Sequence, residues 1–262
     1  MSINKALLPH DVRKLIRKGQ WQTPTTGLAP GYVQANLVML PMAEAFSFLL
    51  FCVRNPKPCP VLDVLEPGAW EPKIAPGADL RTDLPRYKIY ENGEFKEETF
   101  EVLKFVRKDL VSFLFGCSFS FESALQSAGV PVRNLEEDCN VSMYITNRPC
   151  ISAGPFSSPL VVSMRPMKRE HAIRAIQVTT RFNQTHGAPV HMGFPEEIGI
   201  DDISKPDFGD PVTILPDEIP VFWACGVTTT LAAISADLPL VITHAPGHMF
   251  ISDQRDETLT LL

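Results

Sequence analysis

Short uninterrupted apolar runs punctuate this chain, and several of them stop at reactive side chains. Ile219-Pro-Val-Phe-Trp-Ala ends at Cys225, Leu240-Val-Ile-Thr ends at His244 with His248 close behind, and Leu110-Val-Ser-Phe-Leu-Phe ends at Gly116-Cys117. Runs of this length without alternation read as strands buried on both faces, the habit of parallel sheets. Val61-Leu-Asp-Val-Leu reads the same way. Arg86-Tyr-Lys-Ile-Tyr is strand-like, and Asn92-Gly93 after it is the favoured dipeptide of a tight hairpin turn. Helical spacing covers Pro9 to Lys18, with Val12, Leu15 and Ile16 on one side and Gly19 at the stop. It recurs from Glu97 to Lys108 through Phe100, Leu103 and Val106, and from Arg169 to Phe182 with Ala172, Ile173, Ile176 and Thr180 inward. The most apolar stretch, Leu37 to Val53, is interrupted by Pro41 and Glu44 and is too short and broken to span a membrane. It reads as a core helix that Pro41 opens, with Ala43, Phe46, Leu49 and Leu50 recurring at core spacing, and the proline cluster Arg54-Asn-Pro-Lys-Pro-Cys-Pro60 ends it.

These elements predict an α/β protein, a layered sandwich around a mixed or mostly parallel sheet. From Cys139 the texture changes. Val141-Ser-Met-Tyr-Ile-Thr and Leu160-Val-Val-Ser-Met-Arg read as strands of a smaller sheet, and an acidic, proline-rich segment runs from Glu196 to Pro220. The expected organisation is a main domain of residues 1–136 and 218–262, with residues 137–217 inserted as a smaller α+β domain.

Length and composition narrow the classes. With 262 residues, 45% of them hydrophobic, the chain can bury a sizeable core, and its 15 glycines and 24 prolines forecast long connections. A formal net charge of -6 argues against a nucleic-acid partner, which calls for a basic face. The six cysteines show no C-x-x-C pair, so neither a zinc site nor a disulfide framework is expected and a reduced, cytosolic setting fits. The N-terminal segment lacks the apolar core and cleavage site of a signal peptide.

Two junctions share one pattern. Gly116-Cys117-Ser118-Phe-Ser120 and Ala224-Cys225-Gly226-Val-Thr228 both run from strand through cysteine and small residues into a helix. Free N–H groups at a helix start attract anions and favour thiolate, so each junction is either a carboxylate cradle or an activated thiol. The plainer alternative makes Ser118, Ser120, Thr228 and Thr229 caps and the cysteines packing residues. Arg148 and Arg165 are the candidate carboxylate forks, or else structural ion pairs. His244-Ala-Pro-Gly-His248 has a four-residue spacing, but Pro246 and Gly247 prevent both imidazoles from sharing a helical face, and no glutamate follows the first histidine. A zinc hydrolase is therefore disfavoured. Two loop histidines with Asp253 downstream to orient one of them suit general acid and base work.

At these residues the chain resembles the D-glutamate cyclase family. The matching stretches are Gly31-Tyr-Val-Gln-Ala-Asn-Leu, Arg54-Asn-Pro-Lys-Pro-Cys-Pro, Arg81-Thr-Asp-Leu-Pro-Arg-Tyr, Gly116-Cys-Ser-Phe-Ser-Phe-Glu, Ser163-Met-Arg-Pro, His186-Gly-Ala-Pro-Val-His, Ala224-Cys-Gly-Val-Thr and Thr243-His-Ala-Pro-Gly-His-Met. Where the family commonly continues Cys-Gly-Val-Thr-Pro-Gln, this chain has Thr229 and Thr230, and Phe194 stands where a small polar or acidic residue is usual. The resemblance implies an α/β sandwich with a smaller α+β domain and a hydro-lyase that closes D-glutamate to 5-oxo-D-proline with loss of water.

For that reaction the expected catalytic residues are His244 and His248 as proton carriers, Asp253 orienting one of them, and Cys225 as nucleophile or pocket wall. Cys117, Ser118, Thr228 and Arg165 are the expected substrate-binding set, with Cys117, Cys225 and His244 sharing one cleft. No metal or cofactor is expected. The expected partner is a small carboxylate, with a homodimer left open and no membrane. Two other classes stay open at this point: a non-catalytic binder of acidic metabolites, and a Cys/His-dependent amidase or acyl transferase.

Overall fold

The computed structural model describes residues 7–260. It contains two sheets, and every strand pairing in both is antiparallel. The first has seven strands: β1 (Tyr32–Pro41), β2 (Val61–Val64), β3 (Tyr87–Glu91), β4 (Glu94–Thr99), β5 (Leu110–Gly116), β10 (Val241–His244) and β11 (Phe250–Arg255). Their order is β2-β5-β1-β10-β3-β4, with β11 also on β1. The second sheet has the order β6-β7-β9-β8, built from β6 (Ser142–Pro149), β7 (Pro159–Lys168), β8 (His191–Met192) and β9 (Glu218–Ala224).

The expected mixed or mostly parallel sheet is therefore corrected. Burial on both faces, not strand direction, produces an unbroken apolar run. In β1, Ala35, Leu37 and Met39 face a layer made by the long Leu65 to Val106 segment. Val38 and Leu40 face Phe48, Phe51 and Cys52 of helix α2 (Met42–Arg54) and Ala232 and Ala233 of helix α6 (Val227–Ile234) on the other side. With both faces covered, an antiparallel strand loses its polar face just as a parallel one does.

Helix α2 opens after Pro41 and ends at Arg54, as expected, while the apolar residues before Pro41 form the end of β1. The inner face of α2 is Phe48, Phe51 and Cys52, whereas Phe46 is 76% exposed. The Glu97 to Lys108 segment is not helical. It finishes the Asn92-Gly93 hairpin as β4 and continues as turns, because Phe95, Glu97 and Thr99 pair across to β3. Helix α1 (Pro9–Arg17) and helix α5 (Arg169–Thr179) form where expected, but Ile173 points outward at 60% exposure. Among the described residues no helix is long and apolar enough to cross a membrane.

The two sheets exchange helices. Helix α3 (Phe119–Ser127) follows β5 of the first sheet, yet its Phe121 and Leu125 pack with Met167, Val221 and Trp223 of the second. Helix α6 follows β9 of the second sheet, yet Ala232 and Ala233 pack with Val38 and Phe113 of the first. Both strand-to-helix junctions therefore lie between the sheets. Strand β9, beginning at Glu218, is hydrogen-bonded between β7 and β8.

Candidate active site

At the exchange point the chain buries a charged knot. Arg165 of β7 is wholly buried, and its Nε and Nη2 both donate to Glu122 Oε1 on α3, which is itself 4% exposed. Nη2 also donates to Ser118 Oγ at 3.1 Å and Nη1 to Ser163 Oγ at 3.3 Å. The guanidinium lies over the rings of Phe121 and Trp223, with centroids at 5.4 and 5.5 Å. Both guanidinium ends are thus committed to internal partners.

Cys117 and Cys225 meet beside this knot, close enough for each to feel Arg165 and for Cys117 to feel Cys225. Each sulfur accepts a backbone N–H from its own helix start, Phe119 for Cys117 and Val227 for Cys225. Those contacts and Arg165 favour thiolate, as the sequence suggested, but burial outweighs them. The thiols are pushed up to about 12 for Cys117 and about 11 for Cys225. Both are protonated at neutral pH, and Cys225 Sγ rests 3.5 Å from Met143 Sδ.

The other junction residues hold the architecture. Asn36 donates to the Gly116 carbonyl at 3.1 Å, and its amide lies where a Cβ on Gly226 would stand, with Nδ2 at 2.3 Å from that position. Gly226 is required by this approach. Thr228 Oγ1 accepts the Val161 N–H at 3.0 Å and ties α6 to β7, while Thr229 donates to the Gly226 carbonyl at 2.6 Å. Neither helix start has a side-chain cap.

The histidines form a second group, created by a break in one strand line. β10 and β11 run in the same direction along the same edge of β1, with Val38 opposite Thr243 and Ala35 opposite Phe250. Between them Ala245 to Met249 loops out, and this leaves the Leu37 peptide groups without a strand neighbour. The His244 side chain takes that place: the Leu37 N–H donates to Nδ1 at 3.2 Å, and the Leu37 carbonyl lies 3.3 Å from the same nitrogen. Nδ1 can thus accept from one group or donate to the other, so the backbone supports either tautomer. Burial, aided by the nearby His248 and Lys88, lowers His244 to about 4, and burial also lowers His248. His248 Nδ1 sits 2.9 Å from the Pro246 carbonyl, and Thr25 fixes the loop by accepting the Met249 N–H at 3.0 Å.

His244 lines a cavity of about 60 Å³ together with Lys88, Tyr90, Thr230, Val227 and Phe208. Thr230 Oγ1 is buried there without a partner. Lys88 and Tyr90 are alternate residues of β3 and therefore share a sheet face, a period-2 signal present in Arg86-Tyr-Lys-Ile-Tyr. Neither of these two residues nor Asn36 stood out as a site residue in the sequence, whereas Thr230 did, as a departure from the family pattern. Asp253 stands apart from the histidines, with its two carboxylate oxygens bound by Arg13 at 3.0 and 2.9 Å. Arg148 is exposed, with Nη1 3.5 Å from the Val190 carbonyl.

The eight expected site residues thus fall into three places. Cys117, Ser118, Arg165 and Cys225 meet at the knot with Thr228 one turn along α6. His244 and His248 belong to the loop cleft, and Asp253 lies with α1. The first turn of α6 joins the first two places, since Cys225 faces the knot while Val227 and Thr230 line the cleft. No group of three or more His, Cys, Asp or Glu residues suited to a metal ion occurs among the described residues.

Fold and site together define a mixed α/β protein of two antiparallel sheets with a small cleft in which His244, Lys88, Tyr90 and Thr230 stand among apolar side chains. The chain belongs to the D-glutamate cyclase family, whose model, described as D-glutamate cyclase, matches residues 111–253. A protein of Geobacillus kaustophilus named "putative hydro-lyase" is 60% identical over 96% of this chain and 96% of its own length. Proteins with the same description from Bacillus licheniformis and Bacillus subtilis are 55% and 54% identical, over 100% and 98% of this chain and 100% of each relative. A solved nitrogen repressor-like protein of Methanococcus jannaschii overlays with a TM-score of 0.39 and 11% identity, covering 92% of this chain and 96% of that one.

Proposed function

We propose that this protein is a hydro-lyase acting on a small acidic amino acid, closing D-glutamate to 5-oxo-D-proline with loss of water. The observation that carries the reading is His244. It is a buried neutral imidazole at a cleft that also holds Lys88, and its Nδ1 is served by both peptide groups of Leu37. Lactam closure joins the amine nitrogen to the γ-carboxyl carbon and breaks one C–O bond. Of the three ammonium protons, one stays on the amide and two leave on the departing oxygen as water. Those two protons must travel from nitrogen to oxygen, and a histidine that can exchange tautomers suits that transfer. Lys88 supplies the positive charge that anchors a carboxylate, and the Tyr90 and Thr230 hydroxyls supply hydrogen bonds. A bound carboxylate also raises His244 from its resting value, because an anion favours the imidazolium. Holding amine and γ-carboxyl in contact contributes much of the acceleration.

The protonated state of Cys225 weighs against a thioester route. The Arg165 to Glu122 pair supports the cleft from behind through α3 and β7, instead of holding substrate. Thr230, where the family commonly carries glutamine, is the residue most able to alter which acid is accepted, because it lines the cleft directly. The test is incubation of purified protein with D- and L-glutamate and both 5-oxoprolines, each followed by chiral chromatography. Interconversion confined to the D-pair supports the reading. Turnover of neither pair, with the protein folded, removes glutamate as the substrate.

A further inference from the structure

Helix α2 is apolar almost all round. Apart from Glu44 and Ser47, every residue from Met42 to Val53 is apolar, and a helix of that kind is ordinarily buried on all sides. Its inner side is buried, where Phe48, Phe51 and Cys52 pack with Val38, Leu40 and Phe113 of the first sheet. Its outer side is not: Met42, Phe46 and Val53 are between 60% and 76% exposed, with Leu49 and Leu50 half-buried between them. Helices α1 and α4 (Arg133–Glu136) show the usual arrangement, with His10, Lys14 and Arg17 of the one and Glu136 of the other turned outward.

Spacing and extent identify what covers this face. Met42, Phe46, Leu49 and Val53 follow one another at intervals of four, three and four residues, the seam into which a second helix interlocks its side chains. Ile151 extends the patch past the end of α2, where its peptide N–H and carbonyl are both bound by the Asn55 side chain. The exposed parts of Met42, Phe46, Val53 and Ile151 present roughly 500 Å² together, more than half of the about 800 Å² that one partner gives to a standard interface.

Charge sets the direction. Glu44 lies in the first turn of α2 and Arg54 in the last. Arg54 donates to the Ser152 carbonyl, an uncharged group that leaves its positive charge unmatched among the described residues. A two-fold axis beside Leu49 runs the helices antiparallel and sets Glu44 of each copy opposite Arg54 of the other, whereas a parallel pair aligns like charges. We infer that two copies of this chain dimerise through helix α2, the helices antiparallel, with Phe46 of each against Val53 of the other.

The test is sedimentation velocity with light scattering on the whole protein, which at about 10 μM should show twice the 29.1-kDa chain mass. Phe46→Glu and Val53→Asp should each weaken association by ~100-fold or more, as loss of a central apolar anchor does. Both side chains stand in the open, so far-UV circular dichroism should be unchanged in either variant. Phe194→Glu alters another exposed phenylalanine, beside β8 of the second sheet, and should leave the mass unchanged. Arg54→Glu should weaken the dimer by ~5-fold or more, and adding Glu44→Arg should restore it. A monomer up to about 100 μM would overturn the inference, and co-sedimentation of that monomer with phosphatidylcholine and phosphatidylglycerol vesicles would assign the stripe to a membrane instead. A dimer that survives both Phe46→Glu and Val53→Asp, or that only Phe194→Glu dissociates, would overturn it equally. Failure of the charge swap to restore association would refute the antiparallel arrangement.

Discussion

Replacing Glu122 with leucine tests whether the buried knot is structural. Arg165 is fully buried and Glu122 is 4% exposed, and one carboxylate oxygen accepts from two guanidinium nitrogens. Glu122→Leu leaves that guanidinium with only the Ser118 and Ser163 hydroxyls. Stranding a buried charge in this way costs ~3–5 kcal/mol. For a chain of this size each kcal/mol lowers Tm by roughly 2–4 °C, so the midpoint should fall by roughly 6–20 °C. Adding Arg165→Met removes the stranded charge and places an apolar chain between the Phe121 and Trp223 rings, so the double variant should recover most of the loss. Urea unfolding followed by tryptophan fluorescence reads the change beside Trp223, with calorimetry as a second probe. The reasoning fails if Glu122→Leu costs less than ~1 kcal/mol, or if the double variant is no more stable than the single.

His244→Asn should lower turnover by ~100- to 10,000-fold with little change in Tm, because the asparagine amide can still meet the Leu37 peptide groups; near-normal turnover would remove His244 from the mechanism. Burial holds His244 and His186 at about 4, below the ordinary 6.5, so the unfolded chain binds more protons between pH 4 and 6.5 and stability should fall as pH drops through that window. Asp256 acts oppositely: burial raises it to about 7, the folded chain binds its proton more tightly, and its contribution is lost as pH rises from about 4 to 7. Stability should therefore peak near pH 6.5, and Asp256→Asn should gain on wild type at pH 8 but not at pH 4, as urea midpoints across that range would show. Cys117 and Cys225 should resist iodoacetamide at pH 7.5 in the folded protein and react on unfolding; rapid labelling of Cys225, located by peptide mass spectrometry, would return the nucleophile reading.

Most of the strands, the N-terminal helix and the Asn92-Gly93 hairpin were legible in the sequence, because local patterning and turn chemistry carry that information. The motifs also identified the family. Strand direction was not legible, since double-sided burial erases the polar face that would have marked an antiparallel sheet. Nor was the false helix at 97–108 separable from a strand, because Phe100, Leu103 and Val106 fit helical spacing while the cross-strand partners of Phe95, Glu97 and Thr99 lie before the turn in β3. Tertiary structure alone decided that α3 and α6 cross to the opposite sheet, which brings Cys117, Cys225 and Arg165 together from three segments far apart in the chain. It also decided the state of those groups. A helix start argues locally for thiolate, but the surrounding protein removes water from both sulfurs, and desolvation is the larger effect. The same holds for Arg165, whose carboxylate partner proved to be Glu122 of its own chain, and for Asp253, which α1 captures through Arg13. A sequence lists groups capable of chemistry, whereas burial and the nearest opposite charge determine which of them stay free to perform it.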